Sequence, residues 1–172
     1  MQLTVQQPLG YYKLNDDVKD PVVATSGSAC FDLHAYIPED TEIKCYSSMN
    51  AKLESFAVNG KLAIHPGARY LVPTGLIFDI PNQCSVRLHA RSGLSLKQGL
   101  VLANAEGVID EDYVDPVFAM ITNISDTQVT IENGERICQA ELVYQPNFAI
   151  MPLQNSPAQK TDRDGGFGST GV

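Results

Sequence analysis

Residues 73–89 read Pro-Thr-Gly-Leu-Ile-Phe-Asp-Ile-Pro-Asn-Gln-Cys-Ser-Val-Arg-Leu-His. Leu76, Phe78 and Ile80 fall at every second position, and so do Cys84, Val86 and Leu88, the period of strands that turn one face to a core. Pro73-Thr74-Gly75, and His65-Pro66-Gly67 before it, are turns. The same alternation extends outward. In Cys30–Tyr36 it sets Phe31, Leu33 and Ala35 on one face and Asp32, His34 and Tyr36 on the other. Leu3–Gln7, Val117–Ile124, Gln128–Ile131 and Arg136–Tyr144 also read as strands, and Asn133-Gly134 reads as a hairpin turn. Leu94–Gln98, stopped near Gly99, suggests a short helix. Many short strands with frequent turns and one short helix predict an all-β fold, a distorted jelly roll or β-barrel.

With 172 residues, 44% of them hydrophobic, the chain can bury one moderate core. We read residues 1–153 as that domain, with an insertion near 45–61, and 154–172 as a glycine-rich tail that cannot build a core of its own. Met49, Leu53, Phe56 and Ala57 have helical spacing inside the insertion, and Asn59-Gly60 supplies a stop, which predicts a short amphipathic helix or surface excursion and a candidate site for a protein partner.

Twelve basic against 20 acidic residues give a net charge of −8, which argues against a general nucleic-acid binder. A small polyanion needs only a few aimed cations, so that ligand class stays open. Cys30, Cys45, Cys84 and Cys138 form no C-x-x-C pair, and Cys30, Cys84 and Cys138 read as core thiols. No run approaches the ~18 apolar residues of a membrane span and the N-terminus lacks the pattern of a secretion signal, so a cytoplasmic location is expected, in a host if the source is viral.

Reactive groups concentrate in residues 103–116, Ala-Asn-Ala-Glu-Gly-Val-Ile-Asp-Glu-Asp-Tyr-Val-Asp-Pro. Gly107 inside a strand-like run marks a bulge or a close approach to bare backbone. Asp110, Glu111 and Asp112 form the acidic tip of an expected β-hairpin whose second arm resumes at Tyr113. Arg91-Ser92-Gly93 enters the short helix, where backbone N–H groups and a hydroxyl could receive phosphate; alone, the pair reads as an N-cap. In the tail, Phe167 between glycines, with Arg163, Gly168, Ser169 and Thr170 around it, offers a stacking ring, a cation and hydroxyls.

Five segments in order resemble the signature motifs of the trimeric dUTP pyrophosphatases (dUTPases): Gly27–Leu33 (GSACFDL), Ala90–Lys97 (ARSGLSLK), Gly107–Tyr113 (GVIDEDY), Gly134–Gln139 (GERICQ) and Arg163–Gly171 (RDGGFGSTG). The resemblance implies a homotrimer with shared sites that converts dUTP and water to dUMP and pyrophosphate, with Mg2+ on the triphosphate. It implies that Asp110 orients and deprotonates the attacking water, and that Asp32 holds water ligands of the metal. Arg91, Ser92, Gly93 and Gln139 would contact the phosphates, with Ser92 near the bridging oxygen where leaving-group charge grows.

Asn104 and backbone groups of Gly107, Val108 and Ile109 would read the uracil edge, Tyr113 would leave no room for a 2′-hydroxyl, and Arg163, Phe167, Gly168, Ser169 and Thr170 would close over the nucleotide. Arg136, beside Glu135, fits a structural ion pair as well as a site role. Two departures stand out: Ala90 where many relatives have proline, and Val114-Asp115 where Arg-Gly is common. Rival readings are a dCTP deaminase, alone or bifunctional with dUTP hydrolysis, and a trimeric regulatory binding protein on the same fold.

Overall fold

Strand alternation decides which side chains are buried, and it does so first in residues 69–89. A computed structural model describes residues 8–162, so the expected strand at Leu3–Gln7 lies outside the described residues. In chain order the elements are β1 (Gly10–Lys13), β2 (Val22–Val23), β3 (Phe31–His34), β4 (Cys45–Tyr46), β5 (Lys52–Leu53), β6 (Lys61–Ile64) and β7 (Arg69–Pro73). They continue with β8 (Leu76–Asp79), β9 (Cys84–His89), α1 (Ser92–Gln98), β10 (Leu100–Leu102), β11 (Gly107–Ile109), β12 (Phe118–Asn123), β13 (Val129–Glu132) and β14 (Arg136–Tyr144). Among the described residues the chain forms the expected all-β jelly roll with one short helix.

Two five-stranded antiparallel sheets carry the fold, in the orders β11-β9-β14-β3-β2 and β10-β12-β7-β4-β5, with β1-β8 and β13-β6 as two-stranded pairs. Leu33, Val86, Cys138 and Ala140 from the first sheet and Tyr70, Val72, Ala119 and Ile121 from the second belong to one buried cluster. Burial of this apolar surface is the main stabilising term of such a sandwich. Leu76, Phe78 and Ile80 are buried as the alternation requires, as are Cys84, Val86 and Leu88.

Four local expectations are corrected. Residues 45–61 hold no helix. β4 and β5 pair with each other, and Glu42 bridges Phe56. Helical spacing failed here because Ala57 is fully buried while Met49 is 86% exposed, so the four residues share no face. Asn59-Gly60, both at positive φ, is not a helix stop but a two-residue hairpin turn between Val58 and Lys61, whose N–H and C=O groups exchange hydrogen bonds. Asn133-Gly134 is conversely not a hairpin, because β13 pairs β6 whereas β14 pairs β3 and β9. The turn is a corner between sheets, and the Asn133 side chain accepts the Ile37 N–H at 2.8 Å to hold it.

The acidic tip at 110–112 likewise closes no hairpin. β11 pairs β9 in one sheet, Tyr113 lies in no strand, and β12 returns to pair β10 in the other sheet. Residues 103–117 are therefore a wide loop between β10 and β12 that lends one short strand to the opposite sheet. Among the described residues the cysteines form no disulfide, and no helix is long and apolar enough to cross a membrane. After Tyr144 the chain to residue 162 is exposed except at Gln145 and forms neither strand nor helix.

Candidate functional site

Antiparallel register brings the first group of candidate residues together. Asp32 on β3 lies opposite Gln139 on β14, and Gln139 lies opposite His89 at the end of β9. Residues directly opposed in this way point to the same face. Arg91, two residues beyond His89, donates from Nε to Asp32 Oδ1 at 2.9 Å, and Arg136 donates from Nη1 to Asp32 Oδ2 at 3.0 Å. Gln139 Nε2 donates to the Ala90 carbonyl at 3.1 Å. Asp32, with a side chain only 12% exposed, is thus flanked by two guanidinium groups, and such charge-assisted pairs are short and directional.

The ionisable neighbours respond to this cluster. Burial, then Lys19, with Arg136 and Arg91 adding to them, pull the His34 pKa below its usual value, while Asp32 acts in the opposite sense. His34 Nδ1 is buried without a hydrogen-bond partner. The Cys138 thiol is pushed up to about 12, chiefly by burial, and the Cys30 thiol is raised by burial and by Glu141 and Asp32. Cys138 is the core thiol expected of it, whereas Cys30 is only partly buried and lies outside the core cluster, because it sits just before β3 rather than on its inward face.

Ser92 and Gly93 open α1 and are exposed. Ser92 is not the N-cap. Arg91 occupies that position and caps nothing with its side chain, so the N–H groups of the first turn have no partner from a capping residue. A Cβ at Gly93 would meet nothing within 4 Å, so the chain itself does not demand glycine there. At Gly107 it does: a Cβ would come within 2.9 Å of the Leu88 Cβ on β9. The close approach read from the sequence is to the chain's own neighbouring strand.

The second group gathers around the 103–117 loop. Asn104, Gly107, Val108, Ile109 and Tyr113 line a cleft of about 260 Å³ with Leu88, Phe118 and Met120. Tyr113 donates its hydroxyl to the Pro116 carbonyl at 3.0 Å, which fixes the ring beside that cleft. Ala105 takes a positive φ of 62° at the turn that leads Asn104 in. Asp110 points elsewhere, into an open cleft shared with Gln83, Ser85, Arg87, Glu111 and Gln145, and none of Asp32, Arg91, Ser92 or Gln139 lines it.

The sequence-predicted residues fall into separate places. Asp32, Arg91 and Gln139 meet in one cluster; Asn104, Gly107, Val108, Ile109 and Tyr113 meet in another; Asp110 stands apart from both. Ile109 pairs with Val86, which sets Asp110 beside Ser85, six positions along the chain from Arg91. At ~3.3 Å per extended residue that is roughly 20 Å. Arg163, Phe167, Gly168, Ser169 and Thr170 lie outside the described residues. The residue that sequence reasoning undervalued is Arg136, whose partner is Asp32 rather than Glu135; the Glu135 carboxylate accepts the Glu132 N–H instead.

No group of three His, Cys, Asp or Glu side chains among the described residues could hold a bare metal ion. Each Asp32 oxygen accepts from one guanidinium and keeps further acceptor capacity, which suits a water ligand of a hydrated cation better than the cation itself.

The dUTPase family model matches residues 55–171. The deoxyuridine 5′-triphosphate nucleotidohydrolase of Caulobacter vibrioides is 35% identical over 159 residues, covering 92% of this chain and 89% of that protein. The crystal structure of a dUTPase from Streptococcus mutans superposes with a TM-score of 0.61 at 27% identity, covering 81% of this chain and 98% of that one. A mutant Staphylococcus bacteriophage 80alpha dUTPase with dUpNHpp gives a TM-score of 0.74 over 97% of this chain and all of its own, and its 18% identity speaks for the fold alone.

Proposed function

The chain belongs to the dUTPase family, and on that premise we propose that it hydrolyses dUTP to dUMP and pyrophosphate by attack of water on the α-phosphorus. The observation that carries the reading is the cluster around Asp32. Arg91 uses Nε on Asp32 and Nη1 on the Arg136 carbonyl at 3.2 Å, which leaves three of its five N–H donors for a phosphate chain. Next to it, Ser92 and Gly93 offer a hydroxyl and bare backbone at an uncapped helix start. Gln139 adds an amide on the same face.

Asp110 is the base that orients and deprotonates water. Positioning and charge neutralisation supply most of the rate in such phosphoryl chemistry, so this carboxylate needs placement more than an unusual acidity. Ser92 donates where charge grows on the leaving oxygen. Asn104 and the backbone of Gly107, Val108 and Ile109 read uracil, and Tyr113 screens the sugar. Arg163, Phe167, Gly168, Ser169 and Thr170 cover the bound nucleotide.

Asp32 would hold a hydrated Mg2+ through the ion's water ligands, and the ion would supply neutralisation of phosphate charge. A base and a phosphate cluster roughly 20 Å apart on one chain cannot serve one α-phosphorus. We therefore read the working unit as a homotrimer in which the Asp32 cluster of one subunit faces the 103–117 loop of another. The test is a pyrophosphate-release screen across deoxy- and ribonucleoside triphosphates with Mg2+ and a coupled pyrophosphatase. Release from dUTP, with dCTP, dTTP and UTP orders of magnitude slower, is expected. Ammonia release from dCTP, or no release from dUTP, would refute the reading.

A further inference from the structure

The extra residue in β14 decides what faces Asp32. Ala140, Gln139 and Cys138 pair in step with Phe31, Asp32 and Leu33, but Arg136 then pairs with His34, so the register shifts across Ile137. Without the shift, Ile137 would oppose His34, and Arg136 would point with Cys138 to the side away from Gln139. With it, Ile137 and Cys138 both turn into the core, at 1% and 0% exposure, and Arg136 joins Asp32, His34 and Gln139 on the outer face. Bulges re-aim side chains in this way, commonly beside functional sites.

Arg136 then meets Arg91 by two routes. Its Nη1 holds Asp32 Oδ2, which leaves Oδ1 for Arg91 Nε, and its own carbonyl accepts from Arg91 Nη1. Two anchors fix the plane of the Arg91 guanidinium, and the bulge supplies one of them directly and the other through Asp32. The ordering cost of a long side chain is thereby met before any ligand arrives.

We propose that Arg136 is a positioning residue: through Asp32 and through its own carbonyl it holds the Arg91 guanidinium with its free donors outward for a polyphosphate. This deepens the functional reading given above and rests on it for the identity of the nucleotide.

Three variants test it: Arg136→Met, Arg91→Ala and the double variant, each measured for dUTP turnover and, by calorimetry, for binding of inorganic tripolyphosphate with Mg2+. Arg136→Met should raise KM about tenfold, with a smaller change in kcat, and weaken tripolyphosphate to a similar degree. In the Arg91→Ala background it should add little, because the group it positions is gone. Arg136→Lys, which folds with a cation still at Asp32, should recover part of the KM. Unchanged tripolyphosphate affinity in Arg136→Met, or losses that add in full to those of Arg91→Ala, would overturn the positioning role. The binding arm reads this without turnover, so an enzyme that spared dUTP would refute the functional reading alone.

Discussion

The Asp32 cluster and the 103–117 loop belong to one proposed reaction but are built in opposite ways. The first is finished within the chain: three strands in register, two ion pairs to one carboxylate and an amide on a neighbouring carbonyl. The second leaves its recognition groups open, with Asn104 and Tyr113 on one cleft and Asp110 on another. A phosphate grip can be assembled by one chain because its cations are held by an anion. A base must stay uncommitted until substrate and water arrive. The contrast predicts that Asp110 on the loop carries the chemical step and that the cations of the cluster carry phosphate affinity.

The largest effect should come from the loop. Asp110→Asn keeps the size of the side chain and removes the base, so kcat should fall by about 10²–10⁴-fold while nucleotide affinity persists. Titration with a non-hydrolysable dUTP analogue checks the second half. If affinity fell with turnover, Asp110 would belong to binding and the division between the regions would fail.

Next in size is recovery of activity by mixing. Arg91→Ala and Asp110→Asn subunits are each impaired in a different half. If one subunit's cluster faces another's loop, random co-assembly leaves about a quarter of the sites with both halves intact. Activity should therefore reappear when the two variants are unfolded together and refolded. Persistent inactivity in verified mixed oligomers would mean that both halves come from one subunit.

How much of this contrast could be read from the sequence depends on how local its cause is. The core strands were legible because alternation at Leu76–Leu88 is a period-two signal that burial follows directly. The Asn-Gly pairs were not, since the dipeptide fixes a turn but not the partner of the strands it joins. At 59–60 it closes a hairpin, and at 133–134 it turns a corner between sheets. Arg136 was obscured by the bulge, because strict alternation sets it opposite Gln139 while one extra residue brings it to the same face. The acidic tip was recognised as a turn, but its departure to a second sheet depends on pairing with β9, a contact distant in sequence.

A smaller effect should sharpen the loop side of the comparison. The Glu111 carboxylate accepts the Gln83 N–H, and Tyr144 donates its hydroxyl to Gln83 Oε1 at 3.0 Å. This ties the turn that carries Asp110 to the start of β9. Glu111→Ala should lower kcat by about tenfold with KM little changed, because a base slightly out of place loses rate before affinity. Glu111→Gln retains an acceptor and should restore most of it. Equal losses in KM and kcat for Glu111→Ala would move this residue from the chemical half to the binding half.

The smallest effect separates the two regions by pH. The His34 pKa lies below its ordinary value because burial, Lys19, Arg136 and Arg91 disfavour the imidazolium more than Asp32 favours it. The unfolded chain therefore takes up a proton at a higher pH than the folded one. The linkage sign follows: the His34 contribution to stability is complete above about pH 6.5 and is lost as the pH falls through the lowered folded value. A third positive charge then appears beside Arg136, on the strand opposite it. Acidification through that window should lower the melting temperature and weaken tripolyphosphate binding less than it destabilises the fold, since an added cation also attracts the anion. Replacing His34 with Gln should flatten the stability change between neutral and mildly acidic pH. A variant as acid-sensitive as the parent would assign the effect to carboxylates elsewhere and leave the cluster with no titrating neighbour of consequence.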